Sequence, residues 1–171
     1  MFQDEARCGR LNEPKRCWAP PRTRPLVSHQ WVREYTYAYG AVSPVDGIAD
    51  FLILPAMNAA LMSLFLAEVA RRHPQEYLFM IVDGAPSHQP TALVIPDNMG
   101  IITLPPYCPE LNPTEHVWDE IREKFFSNRV FESLDAVEDQ LIEALLFLEK
   151  NPTTVRSITG FHWIVHALLK N

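Results

Sequence analysis

Apolar and polar positions alternate from the first residues. Phe2, Asp4 and Ala6 share one face while Gln3, Glu5 and Arg7 share the other, which predicts a strand over Met1–Arg7. Gly9 to Gln30 loses all periodicity and gathers prolines and cations, so an irregular excursion is expected there. Tyr35, Tyr37 and Tyr39 then alternate within Glu34–Val42, a second strand with one aromatic face. Ser43 to Gly47 has turn composition, and Ile48–Leu54 reads as the returning strand.

Helical spacing begins after Asn58, a cap for Ala59–Arg72. Glu76–Val82 is a continuous apolar run, expected as a central strand buried on both faces. A short helix is predicted over Pro90–Asp97, interrupted by Pro96, and a short strand over Gly100–Leu104. Asn112–Phe126, Ser133–Lys150 and Thr153–Leu169 carry helical periodicity. A hairpin-built sheet continued through strand–helix–strand crossovers makes a mixed α/β sandwich. The right-handed crossover rule lays the helix between the third and fourth strands across one sheet face.

The 171 residues suit one domain with a sizeable core, and 47% are apolar, which excludes disorder. A net charge of −6 argues against this chain alone gripping DNA tightly. Cys8, Cys17 and Cys108 are odd in number and lack C-x-x-C spacing, so reduced cytosolic thiols are expected rather than disulfides or a zinc site. Asp4, Glu5 and Arg7 break up any signal peptide. Asp50, Pro55, Asn58 and Glu68 interrupt the most apolar region, Ile48–Ala70, so no membrane span is expected. The expected location is the cytoplasm.

Against this background three acids matter. Asp4 lies on the first strand, with Glu5 as the alternative inward acid. Asp83 closes the apolar strand and opens a Gly84-Ala85-Pro86 turn, where either a turn role or a ligand role at a strand's carboxyl end fits. Glu115 follows Asn112 and Pro113 as the third helical residue, where it either completes a capping box or serves as a metal ligand. Pro105, Pro106, Pro109 and Pro113 stiffen its approach, as suits a side chain that must be finely placed. Asp119, one turn later, is the decoy. Acids from two strands and a helix start suggest a divalent-metal site. His88 could orient a phosphate or cap its own turn, and Lys15, Arg16, Arg22 and Arg24, interleaved with Trp18, could contact DNA phosphates or simply be solvated. His162 and His166 share a helix face without a third zinc ligand.

Three segments carry a resemblance: Phe2-Gln3-Asp4-Glu5-Ala6-Arg7-Cys8-Gly9, Val82-Asp83-Gly84-Ala85-Pro86-Ser87-His88, and Leu104-Pro105-Pro106-Tyr107-Cys108-Pro109-Glu110-Leu111-Asn112-Pro113-Thr114-Glu115. In this order they resemble the three catalytic motifs of the DDE transposases of bacterial insertion sequences, in the mariner-related branch. The resemblance implies a ribonuclease H-like mixed sheet of about five strands flanked by helices. It implies a catalytic domain over residues 1–150, a helical extension over 151–171, and Asp4, Asp83 and Glu115 as the catalytic and metal-binding triad. It further implies a bacterial, nucleoid-associated protein, cleavage of DNA at element ends, strand transfer into target DNA, homo-oligomers, and an amino-terminal helix-turn-helix region for sequence recognition. Two Mg²⁺ or Mn²⁺ ions ~3.5–4 Å apart suit such carboxylates, with Asp4 bridging them and Asp83 and Glu115 each completing one shell. The runner-up is a truncated, non-catalytic remnant able to pair with intact subunits, since the chain starts inside the first motif. A ribonuclease H-type nuclease shares the same site, whereas a phosphohydrolase using Asp83 would want an acid where Ala85 stands.

Overall fold

The computed structural model describes residues 1–11, 14–84, 92–106 and 108–169. Strand β1 (Phe2–Gly9) is followed by the hairpin β2 (Tyr35–Val42) and β3 (Ala49–Leu54), helix α1 (Ala59–Arg72), and strands β4 (Leu78–Val82) and β5 (Met99–Thr103). A 3₁₀ turn at Pro109–Leu111 leads into α2 (Thr114–Lys124), α3 (Leu134–Glu149), α4 (Pro152–Thr159) and α5 (His162–Leu169). The sheet order is β3-β2-β1-β4-β5. β1, β2 and β3 pair antiparallel, whereas β4 runs parallel to both β1 and β5.

The alternation in the sequence becomes two cores, one on each side of the sheet. Tyr39 and Ala41 of β2 join Leu78, Met80 and Val82 of β4 beneath Met62, Phe65, Leu66 and Val69 of α1. Asn58 caps that helix by accepting the Leu61 N–H at 2.9 Å. Phe2, Ala6 and Cys8 of β1 face the other way, onto Val117, Trp118 and Ile121 of α2 and the apolar stripe of α3. Val155 of α4 and Ile164 of α5 complete this second core. The β2–β3 turn contains Gly47 at φ +75, packed so closely on the Pro152 carbonyl that a side chain has no room.

Four expectations need correction. β4 does lie inside the sheet, but it is buried on the α1 face only: Phe79 is 58% exposed. Apolar runs report strand content, and helices α2–α5 pack over β1–β3 while only the end of α5 borders Phe79. The predicted helix Thr153–Leu169 is two helices broken at Gly160, whose N–H bonds the Arg156 carbonyl at 2.8 Å. A Cβ at Gly160 would lie 2.5 Å from that carbonyl, so the break needs glycine. The described part of the expected helix over 90–97, residues 92–97, holds no α-helix; its start lies outside the described residues. The expected helix start at Asn112 moves to Thr114, with consequences for Glu115.

Candidate metal centre

Asp4, Asp83 and Glu115 line one cavity of about 380 Å³, together with Pro105, Pro106, Cys108, Pro109 and Asn112. Each acid arrives differently. Asp4 projects from the middle of β1 on the α2 side, in register with Gly40 of β2. Asp83 follows the last residue of β4, where the Leu104 N–H bonds the Val82 carbonyl at 2.8 Å and ties the two parallel strand ends together. Glu115 stands in the first turn of α2.

Two buried residues fix Glu115 against Asp4. Asn112 Nδ2 donates to the Gln3 carbonyl at 2.9 Å, and Thr114 Oγ1 donates to the Phe2 carbonyl at 3.0 Å. Asn112 is 4% exposed and Thr114 fully buried, so both bonds are shielded from water. The capping box does not form. The Asn112 N–H goes to the Pro109 carbonyl at 2.9 Å, while Asn112 Oδ1 accepts the Thr114 N–H at 3.2 Å and caps the start of the helix. Asn112 thus caps α2 and bridges it to β1, which leaves the Glu115 carboxylate facing the cavity. Its first-turn position also sets the negative group at the positive end of the helix dipole.

Asp4 is strongly perturbed. Burial, then the charge of Glu115, raises its pKa from 3.8 to about 7, while the hydrogen bond from Trp118 opposes the rise. Trp118 Nε1 donates to Asp4 Oδ2 at 2.9 Å. The indole reaches it across Gly40, where a Cβ would lie 2.7 Å from one ring carbon and 2.9 Å from another. A tryptophan, an aspartate and a glycine from three elements thus form one positioning unit. Sequence reasoning missed Asn112 as a bridge, and Thr114 and Trp118 altogether. The only signal was their helical spacing around Glu115, which cannot name partners more than 100 residues away.

The alternatives sort cleanly. Asp119 does not line the cavity; it is exposed and pairs with Arg122 at 3.1 Å. Glu5 lies on the opposite face of β1, in register with Tyr39. Lys15, Arg16, Trp18, Arg22 and Arg24 are all exposed and none lines the carboxylate cavity. Asn128 pins the backbone of Lys15 through its side chain, at 2.8 and 3.2 Å. His88 lies outside the described residues. His162 and His166 stack with ring centroids 5.8 Å apart. Among the described residues, no group of three His, Cys, Asp or Glu side chains closes into a ready metal cluster. The three carboxylates therefore share a cavity without meeting at one point.

No helix of the described residues is long and apolar enough to cross a membrane. The chain is 35% identical over 130 residues to the uncharacterized protein y4pE/y4sA of Sinorhizobium fredii, covering 75% of this chain and 96% of that protein. Among solved structures it is similar to the Mos1 strand transfer complex, with a TM-score of 0.63 at 18% identity over 99% of this chain and 54% of that one. The Mos1 mariner paired-end complex with Mn gives a TM-score of 0.62 at 18% identity, over 99% of this chain and 55% of that one. The chain thus spans about half the length of these transposases, and shares with them the ribonuclease H-like fold. Residues 1–138 match the DDE superfamily endonucleases, and the chain belongs to that family.

Proposed function

We propose that this chain is the catalytic domain of a transposase that cuts DNA at element ends and joins the freed strand to target DNA. The observation that carries the proposal is the shared cavity of Asp4, Asp83 and Glu115. The family match and the likeness to Mos1 complexes support it. In this reading residues 1–150 form the catalytic domain and 151–171 a helical extension. The whole enzyme works as a homo-oligomer, with sequence recognition supplied by a helix-turn-helix region.

The donor set fits hard divalent cations, Mg²⁺ or Mn²⁺, since it consists of carboxylate oxygens. The charge of Glu115 raises the cost of ionising Asp4, a repulsion that a bound cation would relieve. Asp4, Asp83 and Glu115 would hold the ions. When present, such ions supply Lewis acidity, activating the attacking oxygen and stabilising the leaving one. The protein's own contribution is placement. Trp118 holds the Asp4 carboxylate in one orientation, and Asn112 and Thr114 lock the start of α2 onto β1. The prolines lining the cavity hold the approach to α2 in a fixed path. Lys15, Arg16, Trp18, Arg22 and Arg24 lie on an exposed excursion suited to phosphate contacts, and His88 belongs to the same proposed DNA-binding set.

A second reading, a folded remnant without catalysis, is favoured by the lack of a closed three-carboxylate cluster among the described residues. Metal-dependent nicking of DNA carrying the flanking inverted repeats separates the two. Cleavage that Asp4→Ala, Asp83→Ala and Glu115→Ala each abolish supports the transposase; absence of cleavage supports the remnant. Cleavage that survives all three substitutions removes the triad, and preference for RNA–DNA hybrids points to a ribonuclease H-type nuclease.

A further inference from the structure

A second cavity of about 470 Å³ lies further along the same junction between β1 and α2, and no role has been given to it. Three cations line it, Arg7, Lys15 and Arg122, beside the aromatic rings of Tyr35, Phe126 and Phe131. No acid lines it. The formal charge of the whole chain is −6, so this cationic lining runs against the bulk balance.

The geometry connects the two cavities. Glu115 and Arg122 lie seven positions apart on α2, two turns along one face, which is about 10 Å at 1.5 Å per residue. Asp4 and Cys8 share a face of β1 about 13 Å apart at 3.3 Å per residue. β1 pairs with β4 at Phe2↔Ile81 and, among the described residues, with no strand on that side beyond it. The open edge lets side chains from both faces of β1 border the groove. A separation of about 10 Å matches on the order of three nucleotides of a stacked strand.

The cations are available for a ligand. Arg7 stacks over the Tyr35 ring at 4.5 Å and, among the described residues, has no carboxylate partner. Lys15 also lacks one there, while Asn128 fixes its backbone at the rim. Among the described residues Arg122 pairs with exposed Asp119, a contact worth little in water. Its charge is felt inside the groove, where it opposes the rise of the Cys8 thiol to about 11 that burial causes. Arg10 is excluded from the count, because Glu34 and the Phe131 carbonyl already engage it. A positive groove with aromatic walls is the composition that single-stranded nucleic acid binds.

We propose that this groove holds the sugar-phosphate backbone of a single DNA strand, about three nucleotides from the phosphate at the carboxylate cavity, with Arg7, Lys15 and Arg122 as its phosphate contacts. The proposal rests on the DNA-cutting reading above. Its test is binding of a fluorescein-labelled oligothymidylate, and of a short duplex, to the full chain without divalent metal, followed by anisotropy over a range of salt. Arg7→Gln and Arg122→Gln should each flatten the plot of log K against log salt for the single strand by about 0.7, the loss of one phosphate contact. Arg122→Lys should restore the slope, and Arg71→Gln, on the far side of the sheet, should leave it unchanged. Unaltered slopes in both glutamine variants overturn the groove, as does an equal change in Arg71→Gln. A change confined to the duplex overturns the single-strand assignment. Failure of the parent to bind the oligonucleotide overturns the proposal too. Metal-dependent nicking, measured separately, reports whether the carboxylate reading falls with it.

Discussion

Replacing Asp4 by asparagine should stabilise the metal-free protein while destroying its proposed activity. The folded structure holds the Asp4 carboxyl at about 7 instead of 3.8, because burial and Glu115 disfavour its charge. The folded chain therefore binds this proton more tightly than the unfolded chain does. The sign follows: the group favours folding below pH 3.8, and that contribution is lost as pH rises to about 7. At 1.36 kcal/mol per tenfold change, the full cost of ionising Asp4 in the fold is roughly 4 kcal/mol at most. That is a large share of the ~5–15 kcal/mol that holds a domain together. Asparagine keeps an oxygen to accept from Trp118 Nε1 and carries no charge. In chelator, urea unfolding at about pH 8 should show the variant more stable by up to roughly 4 kcal/mol, on the order of 10 °C in Tm for a chain of this size. At about pH 4 the advantage should vanish. An asparagine variant no more stable than the parent at pH 8, or equally advantaged at both pH values, refutes the reasoning.

The same crowding predicts that Mg²⁺ raises the Tm of the parent at pH 8 more than that of Asp4→Asn; at a hundredfold excess over Kd the gain is ~2.7 kcal/mol, and equal shifts would remove Asp4 from the ligand set. Trp118→Phe deletes the indole N–H and leaves Asp4 less able to ionise. It should lower stability by about 1.5–3 kcal/mol beyond the loss of packing at pH 8, with a smaller penalty near pH 4, as urea melts at the two pH values would reveal. Gly40→Ala drives a methyl into the ring of Trp118 at 2.7 Å and should cost about 1–3 kcal/mol by thermal melting; an unchanged Tm contradicts the close approach. Thr114→Val removes a fully buried donor from the Phe2 carbonyl and should cost about 1–3 kcal/mol while slowing cleavage, whereas Asp119→Asn at the exposed site should leave cleavage rates within error.

Local pattern alone determined much of this protein. The alternation of Phe2, Asp4 and Ala6 placed Asp4 on the right face of β1, because successive strand residues must point to opposite sides. The apolar run ending at Val82 put Asp83 at a strand end, and the proline-rich approach announced that Glu115 begins a helix. The family motifs then singled out the three acids that line one cavity and are proposed as ligands. What periodicity cannot carry is the identity of the partner across space. Glu115 and Asp119 lie on one helix face, and only the contact of α2 with β1 separates the acid in the cavity from the one in water. Asn112 reads as a cap in one dimension and does cap Thr114, yet its amide also donates to a carbonyl 109 residues away. The exposed Phe79 has the same origin: a strand's sequence states that it is apolar, but the extent of the covering helices decides which face stays dry. The raised pKa of Asp4 belongs wholly to the tertiary structure, because burial and a neighbouring charge come into being only when β1, β2 and α2 close around it.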